Sequence, residues 1–173
     1  MTFARILLAT DGSDNANRAL DTAIDLATTY NASLTVLHAI ILGAVPQGLL
    51  RWAEVEHLMP AAEESPGGPS VYGPIATLTG GRKRQAPYRV RQAVADAIVG
   101  HARERALARE VRDVQVRIAD GDPTEVIAEL LADGSHDLLV MGSRGHGTLR
   151  GLLTGSVSHK AIGLHACPVL VVP

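Results

Sequence analysis

Glycines with a phosphate-binding spacing stand near the end of this 173-residue chain. They follow the apolar run 137–141 and read Gly142-x2-Gly145-x9-Gly155-Ser156. Glycine lets the backbone approach an anion closely. The N–H groups that open a helix are unpaired donors at the positive end of its dipole. Because residues 155–158 stand where such donors would be, the spacing predicts a phosphate-binding loop between a strand and a helix.

Two better-known phosphate motifs do not fit this loop. A P-loop requires a Gly-Lys pair, and the chain contains none. The dinucleotide fingerprint requires Gly-x-Gly-x-x-Gly after the first strand, whereas Gly145, Gly147 and Gly151 are spaced Gly-x-Gly-x3-Gly and come late in the chain. A nicotinamide enzyme is therefore disfavoured.

Composition indicates one globular domain, because hydrophobic residues make up 46% of the chain and charged residues 20%. The net charge of −2 does not favour nucleic acid or a membrane surface as a partner. The N-terminal residues lack the layout of a signal peptide, so a cytoplasmic protein is expected. The histidines and the single cysteine show no metal-ligand spacing, and no metal site built from side chains is expected.

Short apolar runs, read as strands, alternate with segments whose apolar residues recur at helical spacing. The strands are predicted at 3–9, 33–40, 113–119, 136–141 and 168–172, and the helices at about 14–30, 88–110, 122–131 and 156–165. Between them, residues 42–87 lose this regularity and are rich in proline and glycine, with one short amphipathic helix predicted at 49–59. A segment of this length is typical of a lid, an interface or disorder, and the sequence does not choose among them.

This alternation predicts a doubly wound α/β fold around a parallel sheet that is covered on both faces. Ligands of such sheets bind beyond the carboxyl ends of the strands, where the strand order reverses. Two of these ends carry polar or glycine-rich turns, Thr10-Asp11-Gly12-Ser13 and Gly142-Ser143-Arg144-Gly145. If the first and fourth strands are neighbours, both turns meet at one crevice.

Together these residues resemble the universal stress protein family. Its markers are the run 6–13, the segment Leu37-His38-Ala39, the full glycine motif and the run 167–172. The resemblance covers the chain except for the insert at about 42–87, and it implies one domain over 1–173. It also implies a Rossmann-like, five-stranded parallel sheet in the order 3-2-1-4-5. The intact glycine motif is typical of the branch of the family that binds ATP.

The resemblance implies a role for each matching residue. Thr10 and Asp11 would lie beside the adenine and the ribose, Ala39 would meet the adenine through its backbone, and Met141 would pack near the base. Backbone groups of Gly142 and Gly145 would contact the ribose and the α-phosphate. Apart from the resemblance, Arg144 flanks the loop and is expected to aid the binding of phosphates through its charge. The β- and γ-phosphates would be held by Gly155, Ser156, Val157 and Ser158, with Mg²⁺ bridging the phosphates.

Three functions stay open on the sequence. The first is an ATP-binding signalling module of the stress response. The second is a slow ATPase or autokinase, although no residue of the loop is an obvious catalytic lysine or general base, so no catalytic residue is assigned. The third is an interaction protein that binds no nucleotide. The apolar last strand, at a sheet edge, predicts a homodimer.

Overall fold

The computed structural model describes residues 2–41, 88–145 and 155–173. The predicted insert at 42–87, its predicted short helix and the centre of the glycine loop lie outside these described residues. The strands are β1 (Arg5–Ala9), β2 (Ser33–Ile40), β3 (Val114–Asp120), β4 (Leu138–Gly142) and β5 (Val169–Val172). The helices are α1 (Asp14–Tyr30), α2 (Tyr88–Ala108), α3 (Pro123–Leu131) and α4 (Ser156–Ile162).

The five strands form one parallel sheet in the order β3-β2-β1-β4-β5, which confirms the predicted fold class. β1 lies at the centre, with Leu8 opposite Val36 of β2 and opposite Val140 of β4. The chain therefore builds one half of the sheet outward from β1 and then returns to build the other half. This reversal places the carboxyl ends of β1 and β4 side by side.

Each face of the sheet has its own apolar core, because successive side chains of a strand point to opposite faces. Ile6 and Leu8 of β1 pack beneath α1 and α2, whereas Leu7 packs on the opposite face with α3 and α4. All three side chains are fully buried. The central strand is thus covered on both faces, as its uninterrupted apolar sequence predicts.

Salt bridges from Arg105 of α2 and from Arg109, the residue after this helix, connect the end of α2 to α1. Arg105 pairs with Asp21, and Arg109 pairs with Asp25 and lies 3.6 Å from Asp21. Exposed ion pairs of this kind contribute at most about 1 kcal/mol each, so the apolar contacts carry most of the stability. The first turns of α2, at the opposite end from these ion pairs, form one wall of the site described below.

Helix α1 begins close against the end of β4. Ser13 is its N-cap, and the Ser13 hydroxyl accepts a hydrogen bond of 3.3 Å from the Ala16 N–H. A Cβ atom placed on Gly142 would lie 2.8 Å from the carbonyl carbon of Asn15 and 2.9 Å from the Ala16 nitrogen. Glycine at position 142 is therefore required by the packing of α1 on β4, whether or not a ligand is bound.

Several boundaries and the two edges of the sheet differ from the sequence-based predictions. β1 begins at Arg5 rather than at 3, α2 ends at Ala108 rather than at 110, and β4 covers Leu138–Gly142 rather than 136–141. Helix α4 ends at Ile162, three residues before His165, because Gly163 is its C-cap and directs its N–H to Lys160. Strand β3 is longer by one residue at its end and begins one residue later. The two outer strands are only partly covered, with Val116 of β3 39% exposed and Leu170 of β5 36% exposed. Their apolar residues resemble those of buried strands, although among the described strands each has a neighbour on one side only.

We expect Gly142→Ala to lower the free energy of unfolding by roughly 1–3 kcal/mol, because the added methyl meets backbone atoms that cannot rotate away. Gly100→Ala is the matched control: Gly100 lies inside α2, and a Cβ there would meet nothing within 4 Å. Gly100→Ala should raise the free energy of unfolding by about 0.5–1 kcal/mol, because alanine has a higher helix propensity than glycine. Urea denaturation measures both, and equal effects of the two substitutions would contradict the close approach of α1.

Candidate functional site

The carboxyl ends of β1, β2 and β4 surround one cavity of about 320 Å³. Its walls come from the turn after β1, the end of β2, the glycine loop, the first turn of α4, and parts of α2 and α3. Every site residue predicted from the sequence lines this cavity: Thr10, Asp11, Ala39, Met141, Gly142, Arg144, Gly145, Gly155, Ser156, Val157 and Ser158. Residues that are far apart in the chain therefore meet at the crevice that the strand order creates.

The Asp11 carboxylate lies directly against Gly145. A Cβ atom on Gly145 would overlap the Oδ2 atom of Asp11 and stand 3.2 Å from its Cγ. The other carboxylate oxygen, Oδ1, accepts a hydrogen bond of 3.0 Å from the Ser13 N–H. The absence of a side chain at position 145 thus leaves the space in which Asp11 is held, an explanation of this glycine that the motif alone does not supply.

Hydrogen bonds with β2 orient the turn that carries Asp11. The Thr10 N–H donates to the Leu37 carbonyl at 2.9 Å. The buried His38 ring lies with Nδ1 2.9 Å from the Thr10 carbonyl, and since a carbonyl only accepts, Nδ1 carries the proton. The turn is completed by Gly12, whose φ of +76° favours glycine and against which Ile98 of α2 packs. His38 itself lines the cavity, a position that its place in a predicted strand does not indicate.

A single carbonyl group joins the two described ends of the glycine loop. The Ser143 carbonyl accepts hydrogen bonds from the Gly155 N–H at 2.6 Å and from the Ser158 hydroxyl at 3.1 Å. The Ser158 hydroxyl also lies 3.0 Å from the Gly155 carbonyl and is buried. The Ser158 side chain therefore stabilises the loop, and an anion in the cavity would meet the backbone N–H of this residue rather than its hydroxyl.

The first turn of α4 contributes backbone donors to the cavity. Its N-cap is Gly155, and within the described residues no side chain accepts a hydrogen bond from this turn. The N–H groups of Ser156, Val157 and Ser158 have no acceptor inside the helix, since they belong to its first turn. Together with the exposed Arg144, they make this end of the cavity suited to negative charge.

The opposite end of the cavity is mainly apolar. Ala39 and Ile40 end β2 there, Met141 lies in β4 on the other side of β1, and Val90 and Val94 of α2 close the wall. The helical spacing of α2 does not predict that these two valines reach the cavity, because nothing local shows which strand end a helix covers. A planar apolar group would fit this end of the cavity better than a charged one.

The charged groups of the lining are few. Asp11 is its carboxylate, and Arg91 of α2 and Arg144 are its cations among the described residues. Near the α3 wall, the Thr124 N–H donates to Asp122, and this hydrogen bond lowers the pKa of the Asp122 carboxyl. Across the described ranges, no group of three or more histidine, cysteine or acidic side chains is placed to hold a metal ion.

The sequence matches the universal stress protein family over residues 2–173. It is 36% identical over 172 residues to the stress response protein NhaX of Bacillus subtilis (strain 168), an alignment that covers 97% of this chain and 96% of that protein. On this evidence the chain belongs to the universal stress protein family.

Solved structures of universal stress proteins share this fold. The fold is similar to that of universal stress protein UspA from Lactobacillus plantarum, with a TM-score of 0.68 at 19% identity, covering 100% of this chain and 99% of that one. A universal stress protein in complex with cAMP has a TM-score of 0.63 at 26% identity, again covering 100% and 99% of the two chains. At least one structural neighbour therefore binds a nucleotide.

A search of the described helices for a membrane-spanning segment finds none of sufficient length and apolarity.

A double-mutant cycle tests the contact between Asp11 and Gly145. We expect Gly145→Ala to destabilise the protein, because the methyl overlaps a carboxylate that the Ser13 N–H holds in place. In an Asp11→Ala background, Gly145→Ala should lower the free energy of unfolding by a smaller amount. The difference, measured by urea denaturation, should give an interaction energy of roughly 0.5–3 kcal/mol. Strictly additive effects of the two substitutions would show that the side chain of Asp11 does not occupy this space.

Proposed function

We propose that this protein is an ATP-binding universal stress protein, a module of the stress response whose state depends on the nucleotide it holds. The observation that carries the proposal is the convergence of three separate motif segments on one cavity. That cavity is apolar at one end and rich in backbone donors at the other, which is the distribution of chemistry along an adenine nucleotide. Family membership and a neighbour in complex with cAMP support the same ligand class.

The cavity residues divide naturally along such a ligand. The adenine would lie at the apolar end, between Ala39 and Met141. The Asp11 carboxylate, an acceptor of hydrogen bonds, would face the ribose hydroxyls. Gly145 would let the backbone approach the α-phosphate, since no side chain stands between.

The outer phosphates would lie at the first turn of α4. The N–H groups of Ser156, Val157 and Ser158 would donate to the β- and γ-phosphates, and Arg144 would add a positive charge. Mg²⁺ would be bound through the phosphate oxygens, since the described lining supplies one carboxylate and no cluster of metal ligands. The donors on this chain thus fit a polyphosphate, with the metal carried by the nucleotide.

Calorimetry with nucleotide-free protein and MgATP tests this proposal. We expect binding at micromolar concentrations. Gly155→Val should abolish it, because even a Cβ at this position would stand 3.2 Å from the Ser143 carbonyl oxygen and a larger side chain would displace the loop. Gly100→Ala, remote from the cavity, should bind as the wild type does.

The absence of binding at millimolar ATP would overturn the proposal and favour an interaction protein that uses no nucleotide. Several turnovers of ATP per site within minutes would instead identify an ATPase.

We further propose that the protein forms a homodimer through β5. This strand lies at the edge of the sheet, and its residues Val169–Val172 are apolar and only partly buried. An open apolar edge of this kind can pair with its copy and bury both strands. The opposite edge is less suited to self-pairing, because β3 carries the exposed side chains Gln115 and Arg117.

Paired substitutions at the two edges test the dimer. Leu170→Lys should convert the dimer into a monomer in sedimentation or light-scattering measurements, since two lysines would meet across the paired strands. Val116→Lys introduces the same charge at a residue of similar exposure on β3 and should leave the dimer intact. A wild-type monomer at tens of micromolar, or a dimer broken by the β3 substitution, would contradict the assignment.

A further inference from the structure

Ser143 connects the glycine loop with the rest of the structure through its carbonyl, its N–H and its hydroxyl. Its carbonyl accepts from Gly155 and Ser158, as given above. Its N–H donates to the Val172 carbonyl at 2.6 Å, which continues the pairing of β4 with β5 by one residue. Its hydroxyl oxygen accepts a hydrogen bond of 2.9 Å from the Asn15 side chain. The residue is buried, so none of these bonds competes freely with water.

The orientation of the Asn15 amide is determined by a second contact. Arg18 Nη2 lies 2.5 Å from Asn15 Oδ1, and a guanidinium can only donate, so the amide oxygen must face Arg18. The amide nitrogen then faces Ser143. Arg18 Nε donates in turn to the Pro173 carbonyl at 2.6 Å. The side chains form a continuous chain of hydrogen bonds from the glycine loop through α1 to the residue after β5.

The end of β5 is thus attached to the glycine loop in two ways. One route is the backbone hydrogen bond from Ser143 to Val172, and the other is the side-chain route through Asn15 and Arg18 to Pro173. We infer that Asn15 and Arg18 are positioning residues that couple nucleotide binding at the loop to pairing of β5 with a second copy. The inference rests on the proposed function, because it needs both the nucleotide site and the dimer.

The coupling has a physical basis, because nucleotide binding and strand pairing both order the same part of the chain. A ligand at the first turn of α4 holds the segment from Gly155 to Ser158, and this segment holds the Ser143 carbonyl. A fixed Ser143 in turn fixes the end of β5, so that less conformational entropy is lost when a second strand pairs with it. Linkage requires the effect to be reciprocal: dimer formation must tighten nucleotide binding by the factor by which nucleotide tightens the dimer.

Sedimentation equilibrium with and without saturating MgATP measures this coupling on the intact chain. For the wild type we expect MgATP to lower the dimer dissociation constant by roughly 5- to 150-fold, the usual range for coupled sites. Arg18→Ala breaks the side-chain route without touching the cavity, and it should lower this factor, because only the backbone hydrogen bond from Ser143 to Val172 remains. Arg103→Ala removes an exposed arginine from α2, remote from the loop, and should keep the wild-type factor.

The outcomes separate the inference from the proposed function. Equal dimer constants with and without MgATP in the wild type, or equal factors for Arg18→Ala and Arg103→Ala, would overturn the coupling alone. A protein that fails to bind ATP or fails to dimerise would overturn the proposed function and the coupling with it. Asn15→Ala should reduce the factor as Arg18→Ala does, and an unchanged factor in this variant would also overturn the inference.

Hydrogen exchange supplies a readout that does not need the dimer. At protein concentrations where the chain is monomeric, MgATP should slow amide exchange in β5 as well as in the glycine loop. In Arg18→Ala the protection of the loop should remain and the protection of β5 should fall. Protection of the loop with no change in β5 in the wild type would contradict the coupling.

Discussion

The parallel pairing of β1 with β4 is the constraint on which the site depends. β1 pairs with β2 on one side and with β4 on the other, so the chain must cross from one half of the sheet to the other. In the part of the chain that the structure describes, the helices pack on the two faces of the sheet and leave the cavity beyond the ends of the central strands. Asp11 and Gly145, which are remote in sequence, come into contact only because of this pairing. Without it, neither the cavity nor the contact that holds the Asp11 carboxylate could form.

The glycines of the motif are required by packing within the protein, whether or not a ligand is bound. Gly142 is required by the approach of α1, Gly145 by the carboxylate of Asp11, and Gly155 stands close to the Ser143 carbonyl oxygen. These contacts bring backbone groups to the cavity surface with no side chains in front of them. The same close packing that stabilises the loop therefore creates a surface on which an anion can approach the main chain.

Local patterns predicted most of the fold. The helix predicted at 14–30 and the apolar runs predicted as the first two strands agree with the structure. The helix predicted at 122–131 is also present, with Asp122 as its N-cap. The open edges were less predictable, because the apolar residues of β5 do not show that one side of this strand lacks a neighbour. The eleven predicted residues line one cavity because of the strand order. That order was predicted from the resemblance to a family, not from local patterns.

Contacts that connect distant segments could not be read from the sequence. Asn15 and Ser143 are separated by 128 positions, and Arg18 and Pro173 by 155. Neither pair belongs to a motif, and each residue alone is compatible with an ordinary helix surface or turn. The role of His38 beside Thr10 was missed for the same reason, since β2 as a strand predicts burial of this ring but not the carbonyl that it contacts.

Crystals of the nucleotide-free protein, soaked with MgATP or a non-hydrolysable analogue, would locate the nucleotide site by diffraction. We expect a nucleotide in the cavity between the ends of β1, β2 and β4. Its phosphates should lie within hydrogen-bond distance of the first-turn N–H groups of α4, and its base should lie between Ala39 and Met141. A nucleotide bound at another surface, or an empty cavity at millimolar nucleotide, would contradict the account.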